Sequence, residues 1–269
     1  MFNIDSMMLS NAFAVSPPSR SERARLRLLE AALEIFGEKG LDGATVREIA
    51  KAAGQNVAAI AYYFGNKEKL YHAVMHGIVR ELRHRLRDVA SEVEQLKRQA
   101  TPSKGDAVRL LKVFLGDIYL RLLSRKEATQ IIRLVVREQL GPTAGFEILY
   151  TEGFRHLHEA LCFLVGTALE RDWRDRETIL RTHMLMGQVY FFAMSREAIL
   201  RRLGWKSLEG RNAQLVVDLL NEHLETLLSG LSNAPAPSPI PPALAETGVP
   251  ADADGPASPP HHPELRSRK

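Results

Sequence analysis

Apolar residues recur at intervals of three and four positions from about residue 21 to residue 231, and no stretch of strand length alternates with period two. This spacing aligns apolar side chains along one side of a helix, whereas a half-buried strand would alternate. Gly and Pro fall mainly where the apolar stretches stop. The sequence therefore predicts an all-α fold.

The N-terminal part of this pattern predicts three helices. The first covers about residues 21–38 and stops at Gly40, a residue type that commonly ends helices. Thr45 caps a second, short helix, and Asn56 caps a third over residues 57–64.

Longer helices follow. The fourth carries an apolar stripe from Leu70 to Leu96, with Gly77 as the expected place for a bend, and it could connect the first three helices to the rest. None of the later stretches is wholly apolar, so we expect a bundle with polar faces in water. These stretches cover about residues 104–124, 126–140, 144–171, 175–203 and 207–230.

Positive charge is concentrated near the N-terminus. The chain has 36 Lys and Arg against 32 Asp and Glu, whereas residues 20–87 alone hold 13 basic and 8 acidic residues. The remainder is close to neutral, so we expect a polyanion partner on the N-terminal part.

The second and third helices, with the turn at residues 54–56, fit a helix-turn-helix motif, whose second helix enters the DNA major groove. The spacing predicts that Val57, Ile60, Ala61 and Phe64 point inward. The outward residues are then Ala58, Ala59, Tyr62 and Tyr63. Small side chains and tyrosines suit close approach to bases and phosphates.

These helices carry a pattern that resembles the TetR family of bacterial transcriptional regulators. The resembling runs are AALEIFGEKG at 31–40, TVREIAKAAG at 45–54 and IAYYFGNKEKL at 60–70. The resemblance implies a three-helix DNA-binding domain followed by a helical-bundle domain for ligand binding and dimerisation. It also implies a regulator and not an enzyme.

The resemblance implies phosphate contacts by Thr45, Tyr63 and Lys67. Val57 stands where many relatives have Lys and Ala61 where they usually have an aromatic residue, so bidentate base readout is less expected. Gln55 replaces a customary Val and could contact the DNA backbone. The residues assigned to DNA binding are Thr45, Gln55, Asn56, Ala58, Ala59, Tyr62, Tyr63 and Lys67.

The C-terminal half resembles the CecR-like (YbiH-like) regulators, through REQLGPTAGF at 137–146, Tyr150 and residues 154–159. This resemblance implies a ligand-responsive repressor with a link to small-molecule export. We therefore interpret one set of residues as a largely apolar pocket with polar anchors, although each could singly be core. The set is Phe114, Ile118, Arg133, Arg137, Phe146, Tyr150, Phe154, Met184 and Tyr190.

The last two helices offer more apolar surface than one bundle face needs, which predicts a homodimer. The interface residues are Met186, Ala193, Leu215, Leu219, Leu220, Leu224 and Leu227. A two-fold dimer would place two recognition helices about one DNA turn, roughly 34–36 Å, apart. The expected partners are operator DNA, a small effector and a second copy.

Two other functions remain open. A helical-bundle metal enzyme could use His72 with His76, or Glu152, His156 and Glu159, but no HExxH or paired Glu-x-x-His pattern accompanies them. We expect no metal, cofactor or catalytic residue. A sequence-independent architectural DNA binder would need more positive charge and apolar wedges.

Both ends are expected to be disordered, as a leader over residues 1–18 and a Pro-rich tail over residues 232–269. Met7 or Met8 could be the true start. Between them we expect a DNA-binding domain over 19–66 and a ligand-binding and dimerisation domain over 67–231. No apolar run reaches the roughly 18 residues of a membrane-spanning helix, so we expect a cytoplasmic protein without a membrane partner.

Overall fold

A computed structural model describes residues 19–123 and 128–232. Within these ranges the chain forms helices joined by short turns, with no strand, which confirms the all-α prediction for the described residues. The leader predicted over residues 1–18 and the tail from residue 233 onwards lie outside them. Ser232, predicted to begin the tail, is the last residue of the last helix.

We number the helices in chain order. The first five are α1 (Arg20–Gly43), α2 (Val46–Ala52), α3 (Val57–Phe64), α4 (Lys67–Arg85) and α5 (Arg87–Lys97). The next four are α6 (Lys104–Asp117), α7 (Thr129–Leu140), α8 (Ala144–Leu149) and α9 (Arg155–Leu169). They are followed by α10 (Arg176–Met194), α11 (Arg196–Leu203) and α12 (Arg211–Ser232). Two π-helical segments extend α6 and join α8 to α9: Ile118–Leu123 and Tyr150–Phe154.

Polar side chains cap the first four helices. The capping residues are Ser19, Thr45, Asn56 and Asn66. At Ser19 and Thr45 the cap is reciprocal, because Glu22 and Glu48 accept hydrogen bonds back from the capping amides. These caps satisfy N–H groups that have no partner within the helix. The starts of α1 to α4 are therefore set by residues close to them in sequence.

The first helical segment stops at Gly40, as predicted. Gly40 has φ 74° and interrupts the helical path, but helical turns resume and reach Gly43. A β-carbon at Gly40 would lie 3.0 Å from Nη1 of Arg137. Both the positive φ and the close approach of α7 require glycine at this position.

The long fourth helix predicted from the sequence is two helices. Leu86 has φ −99° and ψ 6°, and it separates α4 from α5. The apolar stripe does not show this break because Leu86 is itself buried. Gly77, the predicted bend, lies buried within α4. The helix predicted over 175–203 also breaks, at Ser195, whose hydroxyl donates to the Phe191 carbonyl at 2.6 Å.

Two apolar cores organise the described residues. The first joins α1 to α4 with α7 and α8, and it includes Phe36, Ile60 and Leu134. The second lies among α5, α6, α9, α10 and α12, and it includes Phe114 and Leu164. The predicted DNA-binding helices thus pack directly on part of the C-terminal half. The domain boundary at residue 66 stays a prediction.

None of the described helices is long and apolar enough to cross a bilayer.

Candidate DNA-binding surface and ligand cleft

Helix α3 has one buried and one exposed face. Ile60 and Phe64 are buried, whereas Tyr62 is 80% exposed. Val57 and Ala61, which the spacing assigned to the inward face, are exposed. The packed side of the helix consists of Ala59, Ile60, Tyr63 and Phe64, and at about 100° per residue Val57 and Ala61 lie beyond its edge. Ala59 and Tyr63, which were predicted to point outward, are half-buried against the first core. The exposed face is therefore rotated around the helix relative to the predicted one.

Helix α1 supports α3 from behind. The Tyr63 hydroxyl lies 3.1 Å from the Ser21 hydroxyl of α1. The Arg25 guanidinium lies 5.2 Å from the centre of the Phe64 ring. Tyr63 also makes an edge contact with Tyr62, with ring centroids 4.9 Å apart. Tyr63 is therefore partly a bracing residue, while Tyr62 faces solvent.

The turn before α3 is held by local hydrogen bonds. The Gln55 amide donates to the Ala50 carbonyl at 2.8 Å, and Asn56 Oδ1 accepts from the Ala58 amide at 3.0 Å. Ala58 is exposed, and Ala59 and Gln55 are half-buried. The turn thus fixes the direction in which α3 leaves α2.

Lys67 and Thr45, the predicted phosphate contacts, also stabilise the fold. Lys67 Nζ donates to the carbonyls of Leu41 at 2.8 Å and Ala44 at 3.2 Å, where α1 ends. An ammonium group has three N–H donors, so one remains for a phosphate. The Thr45 hydroxyl donates to Glu48 at 2.9 Å. The sequence pattern does not reveal these structural roles.

The residues predicted to form an apolar pocket are dispersed. Phe114 and Ile118 belong to the second core and Phe154 to the first. Met184 is 69% exposed. Helical spacing assigns a residue to an inner face but cannot say which core that face joins.

The other members of that set lie in different places again. The rings of Phe146 and Tyr150 stack with centroids 5.9 Å apart, and Tyr190 packs at the edge of the second core. Arg133 and Arg137 are exposed on α7, where they line a cleft.

This cleft, of about 1200 Å³, lies between the C-terminal end of α1, helix α7 and the start of α11. Its charged residues on α1 are Glu38, Lys39 and Asp42, and those on and after α7 are Arg133, Arg137, Glu138, Arg196, Glu197 and Lys206. Its apolar residues are Leu41, Ile132, Val136, Leu140, Met194 and Leu200.

Glu138 lies at this cleft and is 1% exposed. It accepts a hydrogen bond from the Tyr71 hydroxyl of α4 at 2.5 Å and from the Thr143 amide at 3.1 Å. Burial, and then the hydrogen bond to Glu138, raise the pKa of Tyr71 far above its usual range. Tyr71 therefore remains a donor, and the three residues join α4, α7 and the start of α8. We call them the Glu138 junction.

The predicted dimer residues divide into two groups. Leu215 and Leu219 are exposed on α12, the latter 47%. The others with described side chains pack on the second core of their own chain: Met186, Leu220, Leu224 and Leu227. The side chain of Ala193 lies outside the described part of the structure.

A row of exposed apolar residues on α10 was missed. These residues are Leu180, Met184, Phe191 and Met194. Their spacing of four, seven and three positions places them on one side of the helix. The sequence contains this signal, but the core residues Leu185, Met186 and Val189 carry the same period and obscure it.

In the described structure, His76 pairs with an acidic residue and His158 with another histidine. Within residues 19–123 and 128–232, no group of three or more His, Cys, Asp or Glu is placed to hold a metal ion. His76 Nδ1 lies 3.0 Å from Glu152 Oε2. The rings of His158 and His183 are 4.6 Å apart, and burial, with a smaller effect of His183, lowers the pKa of His158 to about 4.

Comparison with known proteins identifies both halves. Residues 28–74 match the family described as bacterial regulatory proteins, tetR family. Residues 107–231 match the C-terminal domain of the HTH-type transcriptional dual regulator CecR. The CecR protein of Shigella flexneri is 36% identical over 79% of this chain and 95% of its own length. The transcriptional repressor NicS of Pseudomonas putida is 30% identical over 38% of this chain and 44% of its own.

Solved structures show the same fold. The hemolysin II transcriptional regulator HlyIIR matches 80% of this chain and 99% of its own, with a TM-score of 0.52 and 22% identity. A TetR-family regulator from Mesorhizobium loti matches 79% of this chain and 98% of its own, with a TM-score of 0.50 and 18% identity. The chain therefore belongs to the TetR family of bacterial regulatory proteins, with a CecR-type C-terminal domain, and is a transcriptional regulator and not an enzyme.

Proposed function

We propose that this regulator is a cytoplasmic, homodimeric repressor that binds a palindromic operator through α3. Its C-terminal half responds to a small, largely apolar effector. The observation that carries the proposal is the outward face of α3, where Ala58, Ala61 and Tyr62 are exposed on a helix braced from behind. Small side chains let the helix backbone approach base edges closely.

Exposed cations lie on the helices before and after α3. Arg47 and Lys51 on α2 and Lys69 on α4 are exposed. Phosphate contacts by such residues position a protein on DNA without reading sequence. Base preference is then expected to come from Tyr62 and the alanines beside it.

The dimer is proposed to form through α10 and α12. The exposed residues Leu180, Met184 and Phe191 on α10, with Leu215 and Leu219 on α12, offer apolar surface that a two-fold partner can cover. Two copies of α3 would then read two half-sites.

The effector is proposed to act through the Glu138 junction, which joins α7 to α4 next to the DNA-binding helices. An effector that prefers one position of α7 would change operator affinity, typically by roughly 5- to 150-fold.

Selection of operators from random duplex DNA, followed by footprinting, tests the proposal. We expect a two-fold symmetric footprint, with operator bound far more tightly than competitor DNA. Because the Shigella flexneri relative is named a dual regulator, a reporter assay should register activation as well as repression. A footprint without two-fold symmetry, or equal affinity for random DNA, contradicts the proposal.

A further inference from the structure

We propose that the cleft between α1, α7 and α11 binds an amphipathic organic anion, an apolar body that carries one carboxylate or similar anionic group. This cleft would be the binding site of the effector, and the effect of such binding on DNA affinity rests on the proposed function. The binding itself can be measured without DNA.

The anionic group would bind to the arginines of α7. Arg133 and Arg137 are one helical turn apart and both line the cleft. Among residues 19–123 and 128–232, no carboxylate lies within 4.0 Å of either guanidinium, and the contact of Arg133 is to Gln130 Oε1 at 3.4 Å. A guanidinium without a carboxylate partner is a ready bidentate ligand for an organic anion. Lys206 adds a further cation to the lining.

The lining of the cleft has a net charge of +1, from five basic residues (Lys39, Arg133, Arg137, Arg196 and Lys206) and four acidic ones (Glu38, Asp42, Glu138 and Glu197). The carboxylate of Glu138 already accepts hydrogen bonds from the Tyr71 hydroxyl and the Thr143 amide. The other cleft acids nearest the DNA-binding helices, Glu38 and Asp42, belong to α1. The anionic group of a ligand is therefore expected at Arg133 and Arg137 on α7.

Apolar side chains provide a surface for the body of the ligand. Leu140 and Met194 line the cleft and are mostly exposed, and Ile132, Val136 and Leu200 line it as well. The volume of about 1200 Å³ exceeds that of ordinary ligand pockets, which is roughly 300–1000 Å³. One drug-sized ligand fits with room for water.

The positive charge of Arg196, a cleft residue, acts on the buried hydroxyl of Tyr119. Tyr119 is fully buried in the π-helical segment after α6, and its hydroxyl has no hydrogen-bond partner among the described residues. Burial raises the pKa of Tyr119 to about 12, and the positive charge of Arg196 opposes that shift. Tyr119 does not itself line the cleft, so its hydroxyl is not part of the proposed ligand site.

A matched pair of fluorescent probes tests the proposal: anilinonaphthalene sulfonate, an amphipathic anion, and N-phenylnaphthylamine, its neutral analogue. We expect the full chain to bind one sulfonate per chain. The double variant Arg133→Gln and Arg137→Gln should weaken sulfonate binding at least tenfold and change binding of the neutral probe less than twofold. Arg155→Gln, at an exposed arginine of α9 outside the cleft, is the matched control and should change neither.

Energy transfer from tryptophan locates the probe independently. The chain has two tryptophans, and Trp205 adjoins the cleft residue Lys206, whereas Trp173 follows the end of α9. Trp205→Phe should remove most tryptophan-sensitised emission of the sulfonate, and Trp173→Phe should preserve it.

Three results would overturn the proposal. They are an unchanged sulfonate affinity in the double variant, an equal loss of affinity for both probes, or sulfonate emission that depends on energy transfer from Trp173. If the sulfonate binds as expected but the wild-type chain binds no operator, the proposed function fails while the ligand site stands.

Discussion

The two halves of the described chain hold their helices in different ways. Each of α1 to α4 begins with a side-chain cap, whereas the later helices differ among themselves: Ser103 and Thr143 cap α6 and α8, but α7, α10 and α11 begin without a hydrogen bond from a capping side chain. Both π-helical segments also lie in the C-terminal half. The starts of α1 to α4 are set by residues close to them in sequence, whereas the starts of α7, α10 and α11 depend on tertiary packing. This difference suits a rigid DNA-binding surface attached to a half that a ligand can shift.

The largest effect is expected within α12, from two adjacent leucines. Leu220→Glu places a charge in the second core and should destabilise the fold by more than about 3 kcal/mol in urea unfolding. Leu219→Glu, at an exposed position, should leave chain stability nearly unchanged and halve the mass measured by light scattering. A dimeric Leu219→Glu variant would place the interface elsewhere.

The Glu138 junction joins the two halves, so removing its hydrogen bonds should lower the stability of both. Glu138→Ala leaves the buried Tyr71 hydroxyl without its acceptor, at a cost of about 2–3 kcal/mol. Glu138→Gln retains an acceptor and should cost less. Tyr71→Phe combined with Glu138→Ala should recover part of the loss. If Glu138→Ala unfolds at the wild-type urea concentration, the junction does not stabilise the contact between the halves.

The C-terminal half should lose stability in mild acid through His158. Its folded pKa of about 4 lies below the usual 6.5, so the unfolded chain binds the proton more readily between these values. The stability that neutral His158 provides is fully present above pH 6.5. It decreases by about 1–2 kcal/mol, with solvent screening allowed for, as the pH falls towards 4. His158→Gln should flatten this dependence in unfolding curves at several pH values. His156→Gln, at an exposed position on the same helix, should preserve it.

A smaller loss is expected at the end of α1. Lys67→Ala removes the donor to the Leu41 and Ala44 carbonyls and should cost about 1 kcal/mol, as well as weakening DNA binding on all sequences alike. Lys69→Ala removes an exposed charge two residues away and should change stability by less than about 0.5 kcal/mol. Equal stabilities of the two variants would show that the hydrogen bonds of Lys67 contribute nothing to the fold.

The DNA-binding helices could be predicted from sequence because their signals are local. Thr45 and Asn56 cap the helices that they were predicted to cap, and α3 covers the predicted residues 57–64. The cleft could not be predicted in this way. Gly40, Arg137 and Met194 are far apart in sequence, and only tertiary packing brings them to one cleft. The break at Leu86 was hidden for a related reason, since a buried residue can interrupt a helix without interrupting its apolar stripe.

The central claim is that the braced face of α3 reads operator sequence, and Tyr62 tests it most directly. Tyr62 is 80% exposed, so Tyr62→Ala should leave urea unfolding within about 0.5 kcal/mol of wild type. Operator selection from random duplexes should then return a changed consensus at the bases nearest α3, with the two-fold symmetry retained. An unchanged consensus from the folded Tyr62→Ala variant would contradict the claim.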